Sequence, residues 1–129
     1  MRAKIFTTEE ANELIPEVKA VLDRAFDIKV KINLVKEALD MRAKDAIERP
    51  EELVQRLEKF SESLKKEVAE IEKYGCMVKD MEMGLIDFYS IKDNKLIFLC
   101  WQPGEDHIKY WHPVEEGFKG RRPIQLLKA

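Results

Sequence analysis

Apolar residues in the first half of the chain recur at alternating steps of three and four. From Val18 through Val21, Ala25, Ile28, Ile32 and Val35 to Leu39 the spacing is a strict heptad, with mostly Lys, Asp, Glu and Arg between. So narrow a stripe suits a helix packed along one side by a partner of similar length. The partner follows at once. Leu53, Leu57, Phe60, Leu64, Val68 and Ile71 recur at steps of four, three, four, four and three. Arg49-Pro50-Glu51-Glu52 marks its start, because proline is tolerated at the first helical position and acids suit the first turn. Tyr74-Gly75 marks its end, with glycine as the left-handed cap. The first long helix is expected to run to about Ile47, and the short turn that follows makes the two helices antiparallel. At 1.5 Å per residue they span roughly 45 Å and roughly 35 Å. A hairpin of that length leaves apolar surface for a second copy, so a homo-oligomer formed through it is expected.

Upstream, Thr7 and Glu10 fit a capping box, with Phe6 and Ala11 at the staple positions. Pro16 lacks the N–H that an interior helix residue donates. The spacing therefore predicts a short helix near residues 8–14 and a kink or restart at Pro16.

After Gly75 the period changes. Residues 76–80 and 85–89 read as short strands, Lys92-Asp93-Asn94-Lys95 as a turn, residues 96–101 as a buried strand and residues 108–112 as the returning strand. Pro113 to Pro123, with Gly117 and Gly120, reads as loop. The prediction is an α+β fold in one domain: a long, coiled-coil-like antiparallel helical hairpin over residues 7–75, then an antiparallel sheet of three or four strands with a C-terminal loop over residues 76–129.

Composition changes this picture little. The chain has 129 residues, is 45% hydrophobic and 37% charged, and carries a net charge of −2. There is no global basic field, which argues against nucleic acid as a partner. Lys and Glu are abundant while Asn and Gln number three each, a balance seen in proteins from hot environments. Cys76 and Cys100 are too few for a disulfide framework. No stretch approaches the ~20 apolar residues of a membrane span, and the first residues lack a signal-peptide core. A cytoplasmic protein without a membrane partner is expected.

Candidate chemistry gathers in the second half. Both histidines, both tryptophans and Cys100 lie between residues 100 and 112. Four readings compete with plainer ones. Asp87, Cys100, Glu105, His107 and His112 carry donors suited to a divalent metal, although their spacing follows no tight rule. The plainer reading makes Cys100 a core residue and His112 part of a hydrogen-bond network. Cys100, His112 and an acid form a nucleophilic set only if the thiol is exposed, and its strand predicts burial. Gly117-Phe118-Lys119-Gly120-Arg121-Arg122-Pro123 presents two guanidinium groups suited to a small anionic ligand. Otherwise one arginine pairs with Asp87, Glu105 or Glu115 and the other is solvated. Trp101, Tyr110 and Trp111 line a ligand pocket or form core.

Several of these segments are familiar as motifs. Residues 6–16 (FTTEEANELIP), Gly84-Leu85-Ile86-Asp87-Phe88, Leu99-Cys100-Trp101 with Gly104-Glu105, Tyr110-Trp111-His112, and Gly117-Phe118 with Gly120-Arg121-Arg122-Pro123 resemble the bacterial and archaeal proteins grouped as domain of unknown function 2203. The resemblance spans nearly the whole chain and brings no established activity. Asp87, Cys100, Trp101, Glu105, Trp111, His112, Gly120 and Arg121 match the motif, whereas His107 falls where it has no histidine.

The reading is a self-associating binding or accessory protein with a polar ligand site in its C-terminal module, built from Asp87, Trp101, Glu105, Trp111, His112, Arg121 and Arg122. One alternative is a metal-dependent enzyme with Asp87, Glu105 and His112 as ligands of a divalent metal. Another is a helical-hairpin adaptor for a protein partner.

Overall fold

The computed structural model describes residues 4–41 and 49–125. Two long helices, α1 (Thr8–Met41) and α2 (Pro50–Glu72), precede five strands: β1 (Met77–Asp80), β2 (Leu85–Lys92), β3 (Lys95–Trp101), β4 (Tyr110–Pro113) and β5 (Arg122–Pro123). A 3-10 turn, Phe118–Gly120, lies between the last two. The strands form one antiparallel meander in chain order. The fold class is therefore α+β, with more strands than the three or four expected. Among the described residues no helix is long and apolar enough to cross a membrane. The expected end of the first helix near Ile47 and the turn after it lie outside the described residues.

The chain divides into two compact units. Val21–Glu70 form one, and the residues up to Ala20 together with Ile71 onward form the other.

In the helical unit, α1 and α2 run antiparallel. Arg24 Nε donates to Glu67 Oε2 at 2.7 Å, and further along the pair Lys31 Nζ lies 5.9 Å from the Phe60 ring centroid. Val21, Ala25, Ile32 and Val35 of the heptad stripe are buried, and Leu22 joins them. On α2 Leu53 is buried, while Leu57, Phe60, Leu64 and Val68 are half-buried.

The sheet unit begins with the capping box. Thr7 N–H donates to Glu10 Oε1 at 2.9 Å, and Glu10 N–H donates back to Thr7 Oγ1 at 3.1 Å. Pro16 does not end the helix there, because α1 continues uninterrupted through it. Proline costs a helix interior about 3 kcal/mol. Here it faces solvent, while Ala11, Ile15 and Val18 on either side of it are buried. Asn12 Oδ1, in the same turns, accepts the Ile108 N–H at 2.7 Å. Burial of the flanking residues outweighs the missing hydrogen bond. At the other end, Gly75 has φ of +97°, and a Cβ there would lie 2.7 Å from Lys4 Cβ. Only glycine fits both constraints.

Phe6 anchors the chain entry to β2. Its N–H donates to Tyr89 O at 2.7 Å, its carbonyl accepts from Ser90 Oγ at 2.6 Å, and its ring meets Phe88 edge-on at 5.2 Å. β2 and β3 join through Asp93 and Asn94, both at positive φ, as a tight two-residue hairpin demands. The tail read as loop supplies β5. Two residues are too few to show a strand period, but Tyr110 pairs with Pro123, Trp111 pairs with Arg122, and Ile124 N–H reaches Lys109 O at 2.8 Å. β4 starts at Tyr110, two residues later than expected, because the Ile108 N–H is taken by Asn12.

Candidate functional site

Strand alternation sorts the chemistry-bearing residues by face. Asp87 stands opposite Cys100, and His112 stands opposite Phe98, which places His112 diagonally across from Cys100. These three side chains share one face of the sheet. Trp111 and Arg122, a directly opposed pair, project from the other.

Asp87, Cys100 and His112 are each at most 1% exposed. His112 Nδ1 lies 2.8 Å from the Pro113 carbonyl, which can only accept, so Nδ1 carries a hydrogen. His112 Nε2 then faces both carboxylate oxygens of Asp87, each at 3.2 Å. Burial opposes charge on this ring. Hydrogen bonds to Asp87, Cys100 and the Pro113 carbonyl, together with the Asp87 charge, outweigh that and push the pKa up to about 10. His112 is thus an imidazolium at neutral pH, paired with a buried carboxylate. One ligand atom from each of Asp87, Cys100 and His112 lies within 4.8 Å of the other two.

Cys100 ties this pair to a second one. Arg121 Nη2 donates to the Cys100 carbonyl at 3.2 Å and to both oxygens of Glu105 at 2.8 and 3.0 Å. The guanidinium lies over the Tyr110 ring at 4.2 Å and the Phe118 ring at 4.9 Å. Burial works against its charge, while Glu105 and Cys100 hold it protonated more firmly than usual. Glu105 in turn folds its own loop. Its Oε1 accepts the Gln102 N–H at 2.7 Å, and its carbonyl accepts Trp101 Nε1–H at 2.8 Å.

The residues singled out in the sequence therefore occupy two places. Asp87, His112, Glu105, Arg121 and Trp101 belong to one network that passes through Cys100. Trp111 and Arg122 lie outside it. Glu105, grouped from the sequence with Asp87 and His112 as a metal ligand, has its carboxylate on Arg121, and the third donor beside Asp87 and His112 is Cys100. His107 is exposed and pairs with its neighbour Asp106 at 2.7 Å. Glu116, which pairs with Arg122 at 3.1 Å, went unnoticed in the sequence, where nothing but its separation from Arg122 pointed to it. The second thiol, Cys76, is pushed up to about 12 by burial and stays protonated.

No curated protein and no solved structure matches the chain. Residues 4–124 match the model of a family described as an uncharacterized conserved protein, DUF2203. That match contains every residue of the buried network, and the chain belongs to the family of domain of unknown function 2203.

Proposed function

We propose that this chain is an accessory protein whose strand module binds a divalent transition metal through Asp87, Cys100 and His112. The observation that carries the reading is the convergence of a carboxylate, a thiol and an imidazole on one buried point. Ligands at about 2.0–2.2 Å from a tetrahedral zinc lie about 3.3 Å from one another. The Nε2-to-Oδ distances of 3.2 Å match that separation. The Nδ1–H bond to the Pro113 carbonyl is the kind of outer contact that orients a ligating imidazole. A metal would replace the proton on Nε2 and the thiol proton. Carboxylate, thiolate and divalent cation then sum to zero charge, as a buried site requires. A sulfur ligand favours zinc, iron or cobalt over magnesium and calcium. Exposure of 1% or less at all three donors leaves no approach for a substrate of any size, which favours a binding role over a metal-dependent enzyme.

Cobalt(II) added to tag-free, chelator-treated protein tests this. A thiolate-to-cobalt charge-transfer band should appear, persist in Cys76→Ser and vanish in Cys100→Ser. If the purified protein carries no stoichiometric transition metal and cobalt produces no band, the reading fails.

A second reading concerns the helical unit. Val30, Leu34 and Met41 lie on one stripe of α1 at 57%, 58% and 67% exposure. Steps of four and seven keep them on a common face. A second copy of the chain is the proposed cover, in keeping with the coiled-coil patterning. Light scattering of the wild type and of Leu34→Glu distinguishes an oligomer that dissociates from a monomer throughout.

A further inference from the structure

The far face of the sheet holds a feature that the metal reading does not use. A cleft of about 700 Å³ opens where β3 runs past the end of β4, between Lys92, Lys95, Trp111, Glu115, Glu116 and Arg122. This volume lies within the range of small-molecule sites. Trp111 is only 6% exposed, and its Nε1–H has no partner among the described residues. A buried donor without an acceptor is uncommon and calls for one. Two cations flank the indole, with the Arg122 guanidinium 5.2 Å and the Lys92 ammonium 5.9 Å from the ring centroid.

A carboxylate already occupies the entrance. Glu116 accepts from Arg122 Nη2 at 3.3 and 3.1 Å through its two oxygens, and both side chains are about two-fifths exposed. Gly120 makes room for this contact, because a Cβ there would lie 2.6 Å from Glu116 Cβ and Oε1. The Glu116 N–H donates to the Pro113 carbonyl at 3.1 Å, which holds the loop that carries it. Lys92 is paired with Asp93 at 3.0 Å, while Lys95 has no ion pair among the described residues. Asp93 and Glu115 on the rim disfavour a multiply charged anion. Leu96, Ile97 and Pro113 supply apolar wall.

We propose that this cleft binds an organic monocarboxylate, whose carboxylate displaces Glu116 from Arg122 and whose body lies against Leu96, Ile97 and Pro113 beside Trp111. Glu116 acts as an internal competitor. None of Asp87, Cys100 and His112 lines this cleft.

The test follows tryptophan fluorescence of the full chain during titration with hexanoate, acetate and inorganic phosphate. Hexanoate should give a saturable change that is absent in Trp111→Phe, where the buried Trp101 remains. Acetate should bind about tenfold or more weakly for lack of apolar contact, and phosphate should not compete. Arg122→Ala should weaken hexanoate about tenfold or more, whereas Glu116→Gln should tighten it several-fold by freeing the guanidinium. That gain separates an internal competitor from a merely structural acid. Unchanged thermal melts would establish that the variants fold. No saturable change with hexanoate, phosphate binding in preference to it, or unaltered affinity in Glu116→Gln would each overturn the proposal.

Discussion

The two compact units handle charge in opposite ways. Among the described residues of Val21–Glu70, ionic groups lie mostly at the surface and apolar spacing organises the helices, so that Arg24, 57% exposed, meets Glu67, 18% exposed, across the pair. In the sheet unit, Asp87 and His112 pair with side chains 1% and 2% exposed. A solvated charge has water as an alternative partner, and a buried one has only the groups the fold supplies. The first unit therefore tolerates exchange of charged residues as long as the stripe persists. The second depends on particular atoms.

The sharpest way to break this contrast is Asp87→Ala, which leaves His112 buried without its counter-charge. Denaturant unfolding should register a loss of about 3–5 kcal/mol. A loss below about 1 kcal/mol, the range of exposed pairs, would place Asp87 and His112 in the same class as the helical surface. Leu53→Ala tests the other unit by its own rule. Leu53 is 1% exposed, and removing it should cost about 2–5 kcal/mol in the same assay.

Proton titration probes the buried pair without mutation. The folded pKa of His112 is raised from an ordinary 6.5 to about 10. A raised pKa means that the folded state binds the proton more tightly. In chelator-treated protein the contribution is fully present below pH 6.5, declines above it and is lost as pH passes about 10. Stability of the wild type measured against His112→Asn should narrow over that window, and a constant difference would contradict the assignment. The smallest effect belongs to Arg24→Ala. Arg24 itself is 57% exposed, and the change should stay within about 0–1 kcal/mol.

The contrast also explains what could be read in advance. The helical pairing was legible because a seven-residue apolar repeat has few other meanings, and the capping box at Thr7 and Glu10 is a local rule. Pro16 misled because propensity is local while the burial of Ala11, Ile15 and Val18 is not. β5 was hidden because Arg122 and Pro123 form too short a strand to carry a period. Asp87 and His112 could be named as polar residues in apolar strands, and one of Arg121 and Arg122 as partner to Asp87, Glu105 or Glu115, but which arginine takes which acid follows only from the fold. The part played by Cys100 depends on the β2–β3 register, which no local pattern encodes. Glu116 was missed for a similar reason, since its position over Arg122 follows from the 3-10 turn and the small size of Gly120.

The Pro113 carbonyl oxygen accepts two hydrogen bonds, one from the His112 ring on one face and one from the Glu116 backbone belonging to the opposite side. A proline cannot donate in return, so this acceptor is the residue's whole polar contribution. A single atom thereby serves as a fulcrum between two surfaces that share no side chain. Tilting the imidazole must tug the segment from Val114 to Glu116, and reshaping that segment must reach the imidazole.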